Sequence, residues 1–331
     1  MYSKPPGYAT HKTGRPFTTS HRIHFLHRDH ETNHKVPISP FHDIPLRHTP
    51  EILNMVIEIP RFTNAKLEIS RTQPLNPIAP DTLHSHPRFV KPCFPYKGYL
   101  WNYGALPQTW ESPHHIDPDT HHKGDNDPLD AIEIGGRLAS PGDVKRVKVL
   151  GVLGLIDKGE TDWKIVVIDV DDALADKMHD IEDVERELPG LLDATRDWFR
   201  IYKVPDGEGM NEFAFGGECK GREYAWGVVR KCERYWRELV EGEVETDVAL
   251  DNTTLKGTPG WVDPRRVRLP PEEDLSPAPV GRETQEWYFV DRDGLDKTKE
   301  EHEPTADIKV VEDDMVESLD GSKLEIVIKL D

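Results

Sequence analysis

Residues 147–156 are an almost unbroken apolar and β-branched run, and residues 163–168 repeat its character after one short polar segment. Two such runs joined by a turn make a buried β-hairpin. A hairpin buried on both faces needs neighbours, so the chain is committed to a sheet with a core around it. Residues 54–59 and 65–69 flank a turn containing Pro60 and Asn64, and read as a second, shorter hairpin. Helical periodicity follows at about 178–188, 190–203 and 222–240. The last of these puts Ala225, Val228, Val229, Cys232, Tyr235, Trp236 and Leu239 on one core-facing stripe. Strands first and helices later is the α+β pattern, mainly β here, and a curled or closed sheet is expected.

The 331 residues suit one large domain or two ordinary ones. Residues 1–40 read as a basic, histidine-rich extension with no acid before Asp29, and residues 41–240 as one compact unit. Residues 241–290 form a proline-rich extended segment whose Trp287-Tyr288-Phe289-Val290 can dock on the body. Residues 291–331 are an acidic tail with a strand-like pattern at 323–328. The histidines at 21, 24, 27, 30 and 34 gather on one face only if helical, so a polar surface segment is the expectation. A formal charge of −19 argues against nucleic-acid or anionic-membrane partners. The sequence holds no apolar run of membrane-spanning length, no signal-peptide core and no CxxC among its three cysteines. A cytoplasmic protein is expected, or a mitochondrial one if residues 1–30 act as a transit peptide.

The densest chemical signal is Gly124-Asp125-Asn126-Asp127-Pro128-Leu129-Asp130. Carboxylates this close repel unless a cation neutralises them. A calcium-binding EF-hand loop fails, because Leu129 and Asp130 occupy the positions that need an oxygen ligand and a glycine. A solvated acidic turn remains the plain alternative. In the long hairpin, Asp157 closes one strand and Asp162 opens the next, with Lys164 on the same face as Asp162. Lys66 and Glu68 share a face by the same rule, with Glu58 on the neighbouring strand. Arg88, Tyr99, Tyr103, Tyr202 and Lys203 add cations and phenols. Carboxylates rimmed by Lys, Arg and Tyr suit a metal–phosphate substrate, since hard oxygens hold Mg²⁺ and cations hold phosphate.

Asp-Asn-Asp-Pro-Leu-Asp at 125–130, Gly-Glu-Thr-Asp-Trp-Lys at 159–164 and Phe-Arg-Ile-Tyr-Lys at 199–203 resemble soluble family I inorganic pyrophosphatases of the fungal and animal type. So do Phe41-His42-Asp43-Ile44-Pro45-Leu46, Glu58-Ile59-Pro60-Arg61 and the Asn102 to Thr109 run. The resemblance spans about 41–240. It implies an OB-like five-stranded closed β-barrel with flanking helices, a homodimer, and hydrolysis of diphosphate with several Mg²⁺ ions, Mn²⁺ or Zn²⁺ being substitutes. By the same resemblance Asp125, Asp130 and Asp162 bind the tight metal pair. Asp157 with Asp162 serves the substrate metals, and Glu58 supports that side. Asp127 handles the nucleophilic water, Tyr99 donates a proton, and Arg88, Lys66, Tyr103, Lys164, Tyr202 and Lys203 bind phosphate, with Glu68 supporting. Two other readings stay open: a same-fold hydrolase of short polyphosphate or nucleotides, and an interaction protein whose acidic tail binds a basic partner.

Overall fold

The computed structural model describes residues 7–28 and 34–292. Its strands are β1 (Tyr8–Thr13), β2 (Arg22–Arg28), β3 (Lys35–Ile38), β4 (Ile52–Ile59), β5 (Leu67–Ile69), β6 (Ile78–Pro80), β7 (Asn102–Ala105), β8 (Asp130–Glu133), β9 (Val144–Asp157) and β10 (Glu160–Asp169), with shorter pieces between them. The long apolar runs form the antiparallel pair β9–β10. Their turn is Lys158-Gly159, with φ of 52° and 82°, the left-handed pair that matches the twist of a tight hairpin. A register shift between Val149 and Gly151 bends β9. The bend lets β9 pair with β4 as well, while β10 also pairs in parallel with β8. β7 joins β8 to β4. Each of these five strands therefore has two neighbours within the set. Gly104 of β7 is required there, since a Cβ would lie 1.9 Å from the Val56 carbonyl oxygen.

Residues 54–59 and 65–69 do not pair as a hairpin. β4 joins the main sheet, whereas β5 pairs with β6 in a second sheet ordered β1–β2–β6–β5, with β3 on β2. The link between them is a side chain: Glu58 Oε1 accepts from the Ile69 N–H at 2.6 Å. The described part of the histidine-rich region is also sheet, not a solvated extension. Ile23, Phe25 and Ile38 are buried in one cluster with Phe41 and Ile44. The intervening histidines hide that apolar face in the sequence, and β-pairing sets His11 opposite His24 rather than gathering a metal-binding row.

The helices lie where periodicity puts them: α1 (Ile181–Glu187), α2 (Leu191–Ile201) and α3 (Arg222–Val240). Asp180 and Asp183 form a capping box at the start of α1. α3 buries Ala225, Val228, Val229, Cys232, Trp236 and Leu239, while Tyr235 stays half-buried and stacks on His115 at 4.4 Å. From α2, Phe199 stacks on Trp101 at 4.9 Å and Trp198 on Tyr202 at 4.7 Å, which fixes the end of that helix against the sheet. Residues 241–290 contain only short 3₁₀ turns. The Tyr288 N–H donates to Pro92 and its carbonyl accepts from Phe94, so this segment docks. The compact unit ends at Val290. The strand pattern at 323–328 lies outside the described residues. No helix among the described residues is long and apolar enough to cross a membrane.

Candidate active site

The acidic loop is held from below by the segment 110–112. Glu111 N–H donates to the Asp127 carbonyl and Asn126 N–H to the Glu111 carbonyl, each at 2.9 Å. Trp110 Nε1 donates to Asn126 Oδ1 at 2.9 Å. Gly124 makes the approach possible, since a Cβ there would lie 2.3 Å from the Glu111 carbonyl oxygen. Asp125 Oδ1 accepts from the Asp127 N–H at 3.0 Å, an Asx-type turn that fixes the loop backbone.

Behind this loop lies the end of the sheet. Lys164 is 2% exposed, and its ammonium donates to Asp130 and Asp162 at 2.5 Å each and to the Tyr103 hydroxyl at 2.9 Å. Tyr103 in turn donates to Asp130. Burial works against the Lys164 charge, but Asp130 and Asp162 more than offset it and hold its pKa well above the usual lysine range. At the hairpin turn Lys203 donates to Asp157, whose Oδ1 is buried without a partner.

Lys66 donates to Glu68 at 2.7 Å and lies 3.2 Å from Asp81. Asp81 also accepts from Arg88 at 3.1 Å, and Arg88 reaches Asp206 at 3.3 Å. One carboxylate thus orients both Lys66 and Arg88. Tyr99 is fully buried, its ring 5.2 Å from Tyr103 and 4.8 Å from Trp198. Burial raises the hydroxyl pKa of Tyr99, Tyr103 and Tyr202, so all three keep their protons at neutral pH. Glu58 is raised too, by burial and then by Asp130.

Ligand atoms of Glu111, Asp125 and Asp162 lie within 4.8 Å of one another. Glu111 was absent from the sequence reading. Its Oε1 accepts from the Trp163 N–H at 3.0 Å, while Oε2 is buried with no partner. Burial and the neighbouring carboxylates raise Glu111 and Asp125 well above the usual range, and burial pushes Asp162 up to about 7. Like charges held this close with an orphaned oxygen fit a hard divalent cation. Of the expected ligands, Asp125 and Asp162 meet here. Asp130, Asp157 and Glu58 instead face Lys164, Lys203 and the Ile69 N–H. Asp81 was also missed: it stands among no acid motif, and only folding sets it between Lys66 and Arg88.

A carboxylate cluster able to hold a cation, with lysine, arginine and tyrosine nearby at one end of a mixed β-sheet, is the donor set that metal-assisted phosphate chemistry uses. A family model described as inorganic pyrophosphatase matches residues 55–237. The inorganic pyrophosphatase of Neurospora crassa is 53% identical over 287 residues, covering 86% of this chain and 97% of that protein. That of Emericella nidulans is 52% identical over 286 residues, covering 86% and 98%. The solved inorganic pyrophosphatase from Schistosoma japonicum superposes with a TM-score of 0.75 at 41% identity, covering 86% of this chain and all of that one. The chain belongs to the inorganic pyrophosphatase family, of the fungal and animal type.

Proposed function

We infer that the protein hydrolyses inorganic diphosphate to two phosphates, with Mg²⁺ held by its acid cluster. The observation that carries this reading is the carboxylate group of Glu111, Asp125 and Asp162, with Glu111 Oε2 orphaned and the buried Lys164 ammonium against Asp162. Asp125, Asp130, Asp162 and Asp157 would hold the cations, Glu58 would support the substrate side, and Glu111 would join Asp125 and Asp162. Bound there, divalent cations would supply Lewis acidity that lowers the pKa of water and neutralises phosphate. Asp127 holds the attacking water and takes its proton. Arg88, Lys66, Tyr103, Lys164, Tyr202 and Lys203 bind the phosphate oxygens, with Glu68 and Asp81 orienting Lys66. As the bridging P–O bond breaks, Tyr99 supplies a proton to the departing phosphate. Positioning and charge stabilisation do most of the work in such a transfer. Phosphate release from Mg-diphosphate by the purified protein is the test. Tripolyphosphate and ATP are expected to react far more slowly, because cations close the pocket. Equal rates on them would make the protein a wider phosphoanhydride hydrolase, and no release from any substrate would overturn the reading.

Several features extend it. β4, β7, β8, β10 and β9 form an OB-like closed barrel flanked by the helices, supported by their reciprocal pairing. Residues 41–240 carry the catalytic domain, residues 241–290 strap it, and the acidic tail is a site for a basic partner. The chain pairs as a homodimer through the exposed face where Phe289, 78% exposed, stacks on Phe94 at 5.4 Å. Light scattering that returns a single chain mass would refute this. The protein acts in the cytoplasm: Ile23 and Phe25 belong to the core, so removing residues 1–30 as a transit peptide would open it.

A further inference from the structure

Arg71 lies outside every acidic or phosphate-binding motif, in the connection between β5 and β6. Its backbone is fixed, since its carbonyl accepts from the Ala249 N–H at 2.6 Å. The connection is braced by Asn76, fully buried, which donates to the Ser70 carbonyl at 3.1 Å and the Ala249 carbonyl at 3.0 Å. From this anchor the guanidinium spans to the acidic loop and touches it twice. Arg71 Nε lies 3.1 Å from Asp127 Oδ1, and Nη1 donates to the Asp125 carbonyl at 3.1 Å. One guanidinium thus faces both groups: its Nε forms an ion pair with the Asp127 carboxylate, and its Nη1 donates to the backbone of Asp125. Asp127 Oδ1 is engaged, and Oδ2 makes no hydrogen bond among the described residues.

We propose that Arg71 is a positioning residue for the reaction: it holds Asp127 so that one carboxylate oxygen is left for the attacking water. This rests on Asp127 acting on that water. A catalytic group must be held within about 0.5 Å of its productive place, and a carboxylate on a loop needs outside support for that. Lysine supplies the charge but not two separate donors on one planar group, so it restores only part of the constraint.

The test is a double-mutant cycle of Arg71→Ala with Asp127→Asn, read in kcat and KM for Mg-diphosphate, with a thermal melt of each variant. Arg71→Ala is expected to lower kcat about tenfold with KM within about threefold, and Arg71→Lys to recover part of the loss. In the Asp127→Asn background, Arg71→Ala is expected to change kcat less than about twofold, because nothing remains to be positioned. If Arg71→Ala does not fold, the cycle run with Arg71→Lys carries the same expectation on a smaller scale. Fully additive losses, unchanged kcat, or a loss confined to KM would overturn the proposal, the last making Arg71 a phosphate contact. Normal turnover in Asp127→Asn alone would instead overturn the role given to Asp127.

Discussion

Glu111 and Asp127 show how far single residues are legible. Asp125, Asp127 and Asp130 stand out because they crowd into one loop, and Asp162 with Lys164 because alternate strand residues share a face. Glu111 sits between Trp110 and Ser112, with no acid nearby, and reaches the cluster through Trp163, 52 residues away. Only tertiary pairing reveals it. Glu111→Gln keeps an acceptor for the Trp163 N–H but removes a ligand charge. It is expected to fold normally and to weaken Mg²⁺ binding about tenfold, the lower end of what loss of metal support costs; a Mg²⁺ titration of activity checks this. Asp127→Asn and Asp130→Asn are expected to fail differently. Asp130→Asn loses metal affinity, so raised Mg²⁺ recovers part of its rate. Asp127→Asn loses a base, at a cost of about 10²–10⁴-fold, and Mg²⁺ does not rescue it. Rate profiles against Mg²⁺ for both variants decide, and rescue of Asp127→Asn by Mg²⁺ would reverse the two roles.

Among the elements, local pattern was enough for β9, β10 and the helices, whose partners are neighbours in sequence or whose stripe is long. It was not enough for β4 and β5. Both read as strands, but a turn between two strands does not make them partners: β4 pairs with the distant β7 and β9, and β5 with the strand that follows it, β6. The histidine-rich region fails for a related reason: polar side chains alternate with Ile23 and Phe25, and average composition conceals the alternation. The acidic loop depends on contacts of the same non-local kind. Gly124 lies so close to the Glu111 carbonyl that Gly124→Ala must push the loop off its support. The expected cost is about 1–3 kcal/mol, as for other overpacked sites. Because Glu111 and Asp125 flank that contact, Mg²⁺ affinity is expected to fall with stability. Denaturant unfolding with and without Mg²⁺ measures both, and a stable variant with unchanged Mg²⁺ response would show that the loop has slack.

For the whole molecule, metal and proton compete for the same acids. Asp127 is pushed up to about 7, mainly by burial and against the pull of Arg71. Asp162 is pushed up to about 7, again by burial, with Lys164 opposing and Asp130 reinforcing. In the unfolded chain these groups titrate near 4. Between about pH 4 and 7, unfolding therefore releases protons from them, and their contribution to stability falls as pH rises through that window. Mg²⁺ binds the ionised cluster, so its binding releases the same protons and strengthens with pH. His24 and His42 push the other way. Burial lowers each to about 4, so the stability they carry is present above about 6.5 and lost as pH falls toward 4. They act with or without metal and cancel in a difference. The quantity to measure is the rise in melting temperature on replacing EDTA with excess Mg²⁺. It is expected to be small at pH 5 and to grow several-fold by pH 7.5, since stabilisation follows the logarithm of bound ligand over Kd. Equal increments at the two pH values would mean that the cluster is already ionised at pH 5 and that burial does not hold its acids neutral.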